Sequence, residues 1–161
     1  MSIRAVQEAV DRWSEQGDRV AVATLIAVRR SAPLPPGSRF AVSMTGEFTG
    51  SISSGCIEAD LHERLVALLN GQPSETVTYG ITDEMAAGVG LSCGGEIDVL
   101  LDLHDPSDPA WRRLSTLLET GEPSVLLTGS GSVTHCHRLL LTAGESIGTL
   151  GSVAFDDLAR E

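Results

Sequence analysis

The chain reads as an α/β protein, with α+β as the alternative: a mixed β-sheet layered with about three amphipathic helices in a single domain. Three observations predict this. Stretches with apolar residues at helical spacing alternate with short strand-like runs. A nearly unbroken valine- and alanine-rich run over 20–28 asks for burial on both faces of a sheet. Glycine or proline marks most of the junctions between them. With 161 residues, 42% hydrophobic and 20% charged, the chain has the composition of a globular domain and not of a disordered one. A chain of that length buries roughly 70% of its unfolded surface.

The elements follow in order. Ile3, Val6, Val10 and Trp13 recur at helical spacing, and Gly17 stands where that helix should stop. The run 20–28 is the expected central strand. Pro33, Pro35 and Pro36 then rule out helix or inner strand, because proline has no amide donor and a fixed φ, so 31–37 is an extended loop at the sheet edge. Residues 39–44 and 47–53 form a hairpin turning near Thr45-Gly46. Ile57, Leu61, Leu65 and Leu68 share one helical face, with Asp60, Glu63 and Arg64 mostly off it. That helix ends at Asn70-Gly71, and Gly55 at the N-cap with Glu58 three residues on supplies its start. A short strand is expected over 75–79. Residues 82–90 have no clear period and read as a loop with one helical turn. Residues 97–103 alternate as a strand, which Asp105 to Pro109 ends with a turn and a helix cap. Trp111, Leu114, Leu117 and Leu118 make a third helix closed by Gly121. Strands at 124–128 and 137–142 are joined through Gly129-Ser130-Gly131, and Ala143-Gly144-Glu145 turns into a last strand at 146–150.

A formal charge of −11 argues against nucleic acid, whose backbone is bound by displacing counterions with lysine and arginine. A protein partner with a basic patch is easily accommodated. Three cysteines at wide, uneven spacing make no disulfide framework. The first residues carry acids and lack an apolar core, unlike a signal peptide, and no run approaches the ~20 apolar residues of a membrane span. The expectation is a soluble cytoplasmic protein with reduced thiols and no membrane association.

Two glycine-flanked cysteines carry the chemistry. Gly50-Ser51-Ile52-Ser53-Ser54-Gly55-Cys56-Ile57-Glu58 runs from a strand into a helix, and Gly90-Leu91-Ser92-Cys93-Gly94-Gly95 precedes an alternating strand. Free amides and a thiol at a helix start attract anions and favour the thiolate. Ser51, Ser53, Ser54 and Gly55 therefore suit a ligand phosphate, and Glu58 suits a ring nitrogen. Each has a plain alternative: small residues for a tight strand-to-helix turn, an acid complementing the helix dipole, and cysteines that merely fill gaps.

The ordered motifs (Ser31 to Gly37, Gly50 to Glu58, Gly90 to Gly95) resemble the XdhC/CoxI family over about residues 1–103, and more loosely in the hairpin near 139–151. The helix and hairpin of 104–161 are then additions to that core. The resemblance implies an accessory protein for molybdenum hydroxylases such as xanthine dehydrogenase or CO dehydrogenase. Such a protein binds the molybdenum cofactor (molybdopterin) as cargo, assists its sulfuration by a cysteine desulfurase, and helps insert it into the apo-enzyme. It implies cofactor contacts at Ser51, Ser53, Ser54, Gly55, Cys56, Glu58, Cys93, Gly94 and Gly95, with Cys56 and Cys93 as contacts to the molybdenum. Full-length members often continue into a Rossmann-like domain, and the family loop commonly has glycine where Ser54 stands here.

Other features have ready alternatives. Arg29, Arg30 and Arg39 flank the proline loop and suit a ligand's negative charge or a solvated sheet edge. Glu96, Asp98, Asp102 and His104 suggest an acidic metal cluster, but strand alternation alone produces such a face. His135-Cys136-His137 has the spacing of an adventitious metal pair with no third ligand nearby. No catalytic triad order, zinc-protease motif or Walker loop is present. The reading is a cofactor carrier that is not itself a turnover enzyme, holds no other metal tightly, and forms a homodimer. The alternatives are a sulfur-transfer or redox enzyme using Cys56, and a structural interaction module without a ligand.

Overall fold

In the computed structural model, which describes residues 2–80, 95–129 and 136–161, the apolar run after the first helix becomes the central strand of a five-stranded sheet. The chain divides into two compact units, Met1–His104 and Asp105–Glu161. In the first, α1 (Ile3–Glu15) leads into β1 (Val20–Arg29), β2 (Arg39–Ser43), β3 (Phe48–Gly50), α2 (Glu58–Leu69), β4 (Glu75–Tyr79) and β5 (Glu96–Leu103). The sheet order is β3-β2-β1-β5-β4, and every pairing is antiparallel. The sheet thus takes the α+β form of the expected class.

β1 is apolar on consecutive positions because both of its faces are covered. Val20 and Val22 pack with Val6, Val10 and Trp13 of α1. The intervening Ala21, Ala23 and Leu25 pack with Leu61, Leu65 and Leu68 of α2. Burying each of these leucines contributes about 1.5–3 kcal/mol. α1 begins at Ser2, whose hydroxyl accepts the Ala5 amide at 3.3 Å. It stops as anticipated at Gly17, where φ is +82°.

A bulge between Leu25 and Ala27 shifts the register of β1 against β5 and leaves Ile26 exposed. Just before it, the Leu25 amide donates to Ser38 and its carbonyl accepts from the Gly37 amide. The proline loop is therefore tied back to the strand at its far end. Prolines supply no ladder donors, so the last residues of β1 pair with β5 alone.

The second unit has α3 (Pro109–Thr120), β6 (Val125–Gly129), β7 (His137–Leu141), β8 (Ser146–Gly148) and α4 (Val153–Arg160), with sheet order β6-β7-β8. Asp108 caps α3 through the Ala110 amide at 2.8 Å, and Gly121 closes it with φ +74°. Trp111, Leu114 and Leu117 pack on Leu140, with Leu126 and Ile147 beside them. The Arg138 guanidinium lies over the Trp111 ring at 4.8 Å.

Three elements differ from the sequence expectation. β3 is shorter than 47–53, because Ser51 already turns away into the loop before α2. α2 is capped at Ile57 and not at Gly55. The helix α4 was not anticipated: with 8 residues it is too short to show a helical period in sequence, and its Val153, Phe155 and Leu158 are exposed while Asp156 is buried. The expected loop at 82–90 lies outside the described residues.

Candidate functional site at one end of the five-stranded sheet

Antiparallel alternation places the C-terminal ends of β1, β3 and β4 and the N-terminal ends of β2 and β5 at the same end of the sheet. The proline loop leaves from β1, the serine-glycine loop leaves from β3, and Gly95 leads into β5. The proline loop, the serine-glycine loop and Gly95, separated in sequence, thus lie at one end of the sheet. Gly95 itself lies against the start of the proline loop: a Cβ there would overlap the Ser31 carbonyl oxygen. Cys93 and Gly94 lie outside the described residues.

The serine-glycine loop has a buried base and an exposed crest. Ile52 and Ile57 are fully buried in the α2-side core, and Ser53 is buried with them. Ser54, Gly55 and Cys56 between them are exposed. The backbone of the crest is unusual, with φ of +63° at Ser54 and +114° at Gly55. A serine at positive φ carries a steric cost that glycine avoids. At the loop's root, the Ser51 amide donates to Arg39 at 2.9 Å. Gly50 beside it approaches so closely that a Cβ would overlap that same Arg39 carbonyl oxygen.

Glu58 organises the loop. Its Oε1 accepts the Ser51 hydroxyl at 2.5 Å and the amides of Ile52 and Ser53 at 3.0 and 2.8 Å. Its Oε2 accepts the Ser53 hydroxyl at 2.6 Å and the amides of Gly55 and Ile57 at 2.8 and 3.3 Å. The Ser51 oxygen in turn accepts the Ser54 amide at 2.9 Å. Partial burial works against the charged carboxylate. The serine hydroxyls and loop amides outweigh it and bring Glu58 from 4.5 down to about 2. Of the donors that sequence reasoning offered to an external phosphate, those of Ser51, Ser53 and Gly55 are here engaged by the chain's own carboxylate, and the Ser54 amide by the Ser51 hydroxyl oxygen. The signal for this in the sequence was an acid just past a serine-rich turn. It reads equally well as a dipole-complementing residue.

A second anchor steadies the helix start. The Tyr79 hydroxyl at the end of β4 donates to Asp60 on the first turn of α2 at 2.5 Å. Arg64 pairs with the same carboxylate at 2.7 Å. Burial, and then the Asp60 carboxylate, push the Tyr79 hydroxyl well above the usual phenol range. Tyr79 and Asp60 were missed in the sequence, because 19 positions separate them.

The remaining candidates resolve into ordinary pairs. Arg29 bridges Asp98 and Glu96, each at 2.6 Å, and Asp98 also accepts the Thr78 hydroxyl. Arg39 is buried and donates to Gln7, while Arg30 is exposed with φ +69°. Asp102 accepts the Ser74 hydroxyl. Among the described residues no three His, Cys, Asp or Glu side chains are grouped to hold a metal. Cys136 is buried and His137 exposed, while His135 lies outside the described residues. No helix among the described residues is long and apolar enough to cross a membrane.

The fold has a counterpart among known proteins. Residues 13–80 match the model of the XdhC and CoxI family. Over 154 residues the chain is 24% identical to a protein of Bacillus subtilis (strain 168) named as a probable xanthine dehydrogenase subunit, covering 94% of this chain and 46% of that protein. A crystal structure described as a xanthine dehydrogenase from Bacillus halodurans superposes with a TM-score of 0.71 at 23% identity, again covering 94% of this chain and 46% of the other. At that identity the superposition establishes the fold. The chain spans about half the length of each of these two proteins.

Proposed function

We propose that the chain, which carries its XdhC/CoxI-family segment at residues 13–80, is an accessory protein that binds molybdenum cofactor as cargo. In this reading it assists the cofactor's sulfuration and its insertion into a xanthine dehydrogenase-type hydroxylase. The observation that carries the reading is the position of Cys56: an exposed thiol on a turn rooted by two buried isoleucines, at the sheet end that also holds the proline loop and Gly95. A thiol suits a soft metal centre or a sulfur atom in transit.

Cys56 touches the cargo, and Cys93, two residues before Gly95, supplies a second contact. Ser51, Ser53, Ser54, Gly55 and Glu58 form the frame that presents Cys56, Gly94 adds a backbone contact, and Gly95 holds the proline loop beside the site. A cysteine desulfurase and the apo-hydroxylase are the partners, and the chain works as a homodimer in the cytoplasm. The relative's name supports the hydroxylase as the enzyme served.

The test is cofactor binding. Pure protein is mixed anaerobically with molybdenum cofactor and gel-filtered, and the pterin is quantified by fluorescence after oxidation, for wild type and Cys56→Ala. Stoichiometric pterin on the wild type and its loss from the variant is the expected result. Binding that survives the substitution moves the site away from Cys56. No binding by the wild type overturns the carrier role for this chain.

A further inference from the structure

Six donors from five residues converge on the two oxygens of Glu58, and they come from both sides of the exposed crest and from within it. Ser51, Ile52 and Ser53 approach from the β3 side, Gly55 from the crest, and Ile57 from the helix side. A carboxylate offers about four lone-pair sites, so this set is saturated without any ligand. We propose that Glu58 is a positioning residue for Cys56: its carboxylate fixes the turn that presents the thiol, and its charge keeps anionic groups off that turn. The inference rests on the reading of Cys56 as the working thiol, and it deepens that reading by naming what the thiol accepts. A second anion brought to the crest meets a resident negative charge and amides that already have acceptors. Cargo therefore reaches Cys56 by a soft, weakly charged end, and an anionic phosphate end lies elsewhere.

The experiment compares two alkylating reagents of similar size, neutral iodoacetamide and anionic iodoacetate, on the intact chain. Modification at Cys56 is followed by peptide mass spectrometry, and each rate is normalised to 2-mercaptoethanol. Wild type should disfavour iodoacetate. Glu58→Gln, which keeps the shape and removes the charge, should raise the iodoacetate-to-iodoacetamide ratio by roughly 3- to 10-fold. Glu58→Asp keeps the charge but shortens the reach, so both rates should rise with little change in their ratio. Glu63→Gln, an exposed acid on the same helix, is the charge-matched control and should leave the ratio alone.

A ratio equal in wild type and Glu58→Gln, or moved as far by Glu63→Gln, overturns the assignment. Should Glu58→Gln fail to fold, added salt on the wild type should lift the iodoacetate rate selectively, because screening weakens any negative field at the crest; a flat response means no such field exists and overturns the assignment. Alkylation needs no cofactor. A chain that fails to bind cofactor can still show the charge effect, and a chain without the charge effect can still bind cofactor.

Discussion

Replacing Glu58 by glutamine keeps the side chain's size and removes its charge. The new amide group must also point a donor at a set of donors. The carboxylate sits at about 2 in the folded chain against 4.5 for an unperturbed group, and such a displacement corresponds to at most about 3 kcal/mol at neutral pH. Glu58 is only part-buried, so solvent screening brings the contribution to about 1–2 kcal/mol. Because the folded value is the lower one, the stabilisation is fully present above about pH 4.5 and is lost as pH falls towards 2. Urea unfolding of wild type and Glu58→Gln at a series of pH values measures it. The gap should be about 1–2 kcal/mol at pH 7 and should shrink by more than half by pH 3. A gap that stays constant with pH would show that glutamine fails through shape and not charge. No gap at pH 7 would refute the role of the carboxylate in the loop altogether.

Other perturbations test the rest of the architecture. Gly95→Ala forces a Cβ onto the Ser31 carbonyl oxygen, whereas Gly144 has open space. The first should lower stability by about 2 kcal/mol or more and the second by little, with thermal unfolding as the measurement and equal effects as the contrary result. Ser54→Gly should stabilise by about 0.5–1 kcal/mol, since glycine relieves a positive φ and returns part of the gain as unfolded-state entropy. A destabilised Ser54→Gly protein would mean that the serine side chain outweighs its backbone strain. Tyr79 is the chain's one tyrosine, so a spectrophotometric titration reads it alone. Tyrosinate should appear only well above pH 10 while the protein stays folded, and ionisation near the ordinary phenol value would refute the buried contact with Asp60.

The element pattern was legible where burial imposes a period. The run Val20 to Val28 could be read as a central strand because α1 and α2 cover its two faces, and both helices announced themselves by single apolar stripes. Local chemistry marked the proline loop and Gly17 in the same way. α4 was illegible because its 8 residues are fewer than the window of about 11 over which a helical period can be read. The N-cap of α2 was misplaced because Gly55 followed by Glu58 mimics a capping box. In the fold, that glutamate reaches back across the whole loop.

What the sequence by itself determined is the set of parts: the family likeness, the helix and strand faces, and the small-residue loop carrying Cys56. These follow from residue type, turn chemistry and short-range period, which act within a few positions. Tertiary structure alone decided that the proline loop, the serine-glycine loop and Gly95 lie at one end of a single antiparallel sheet. It also decided that Gly95 seats the proline loop, and that the loop's donors go to Glu58 and not outward. Hydrogen bonds and close approaches of this kind depend on where the chain returns in space, and a carboxylate just past a turn does not reveal which way it folds back.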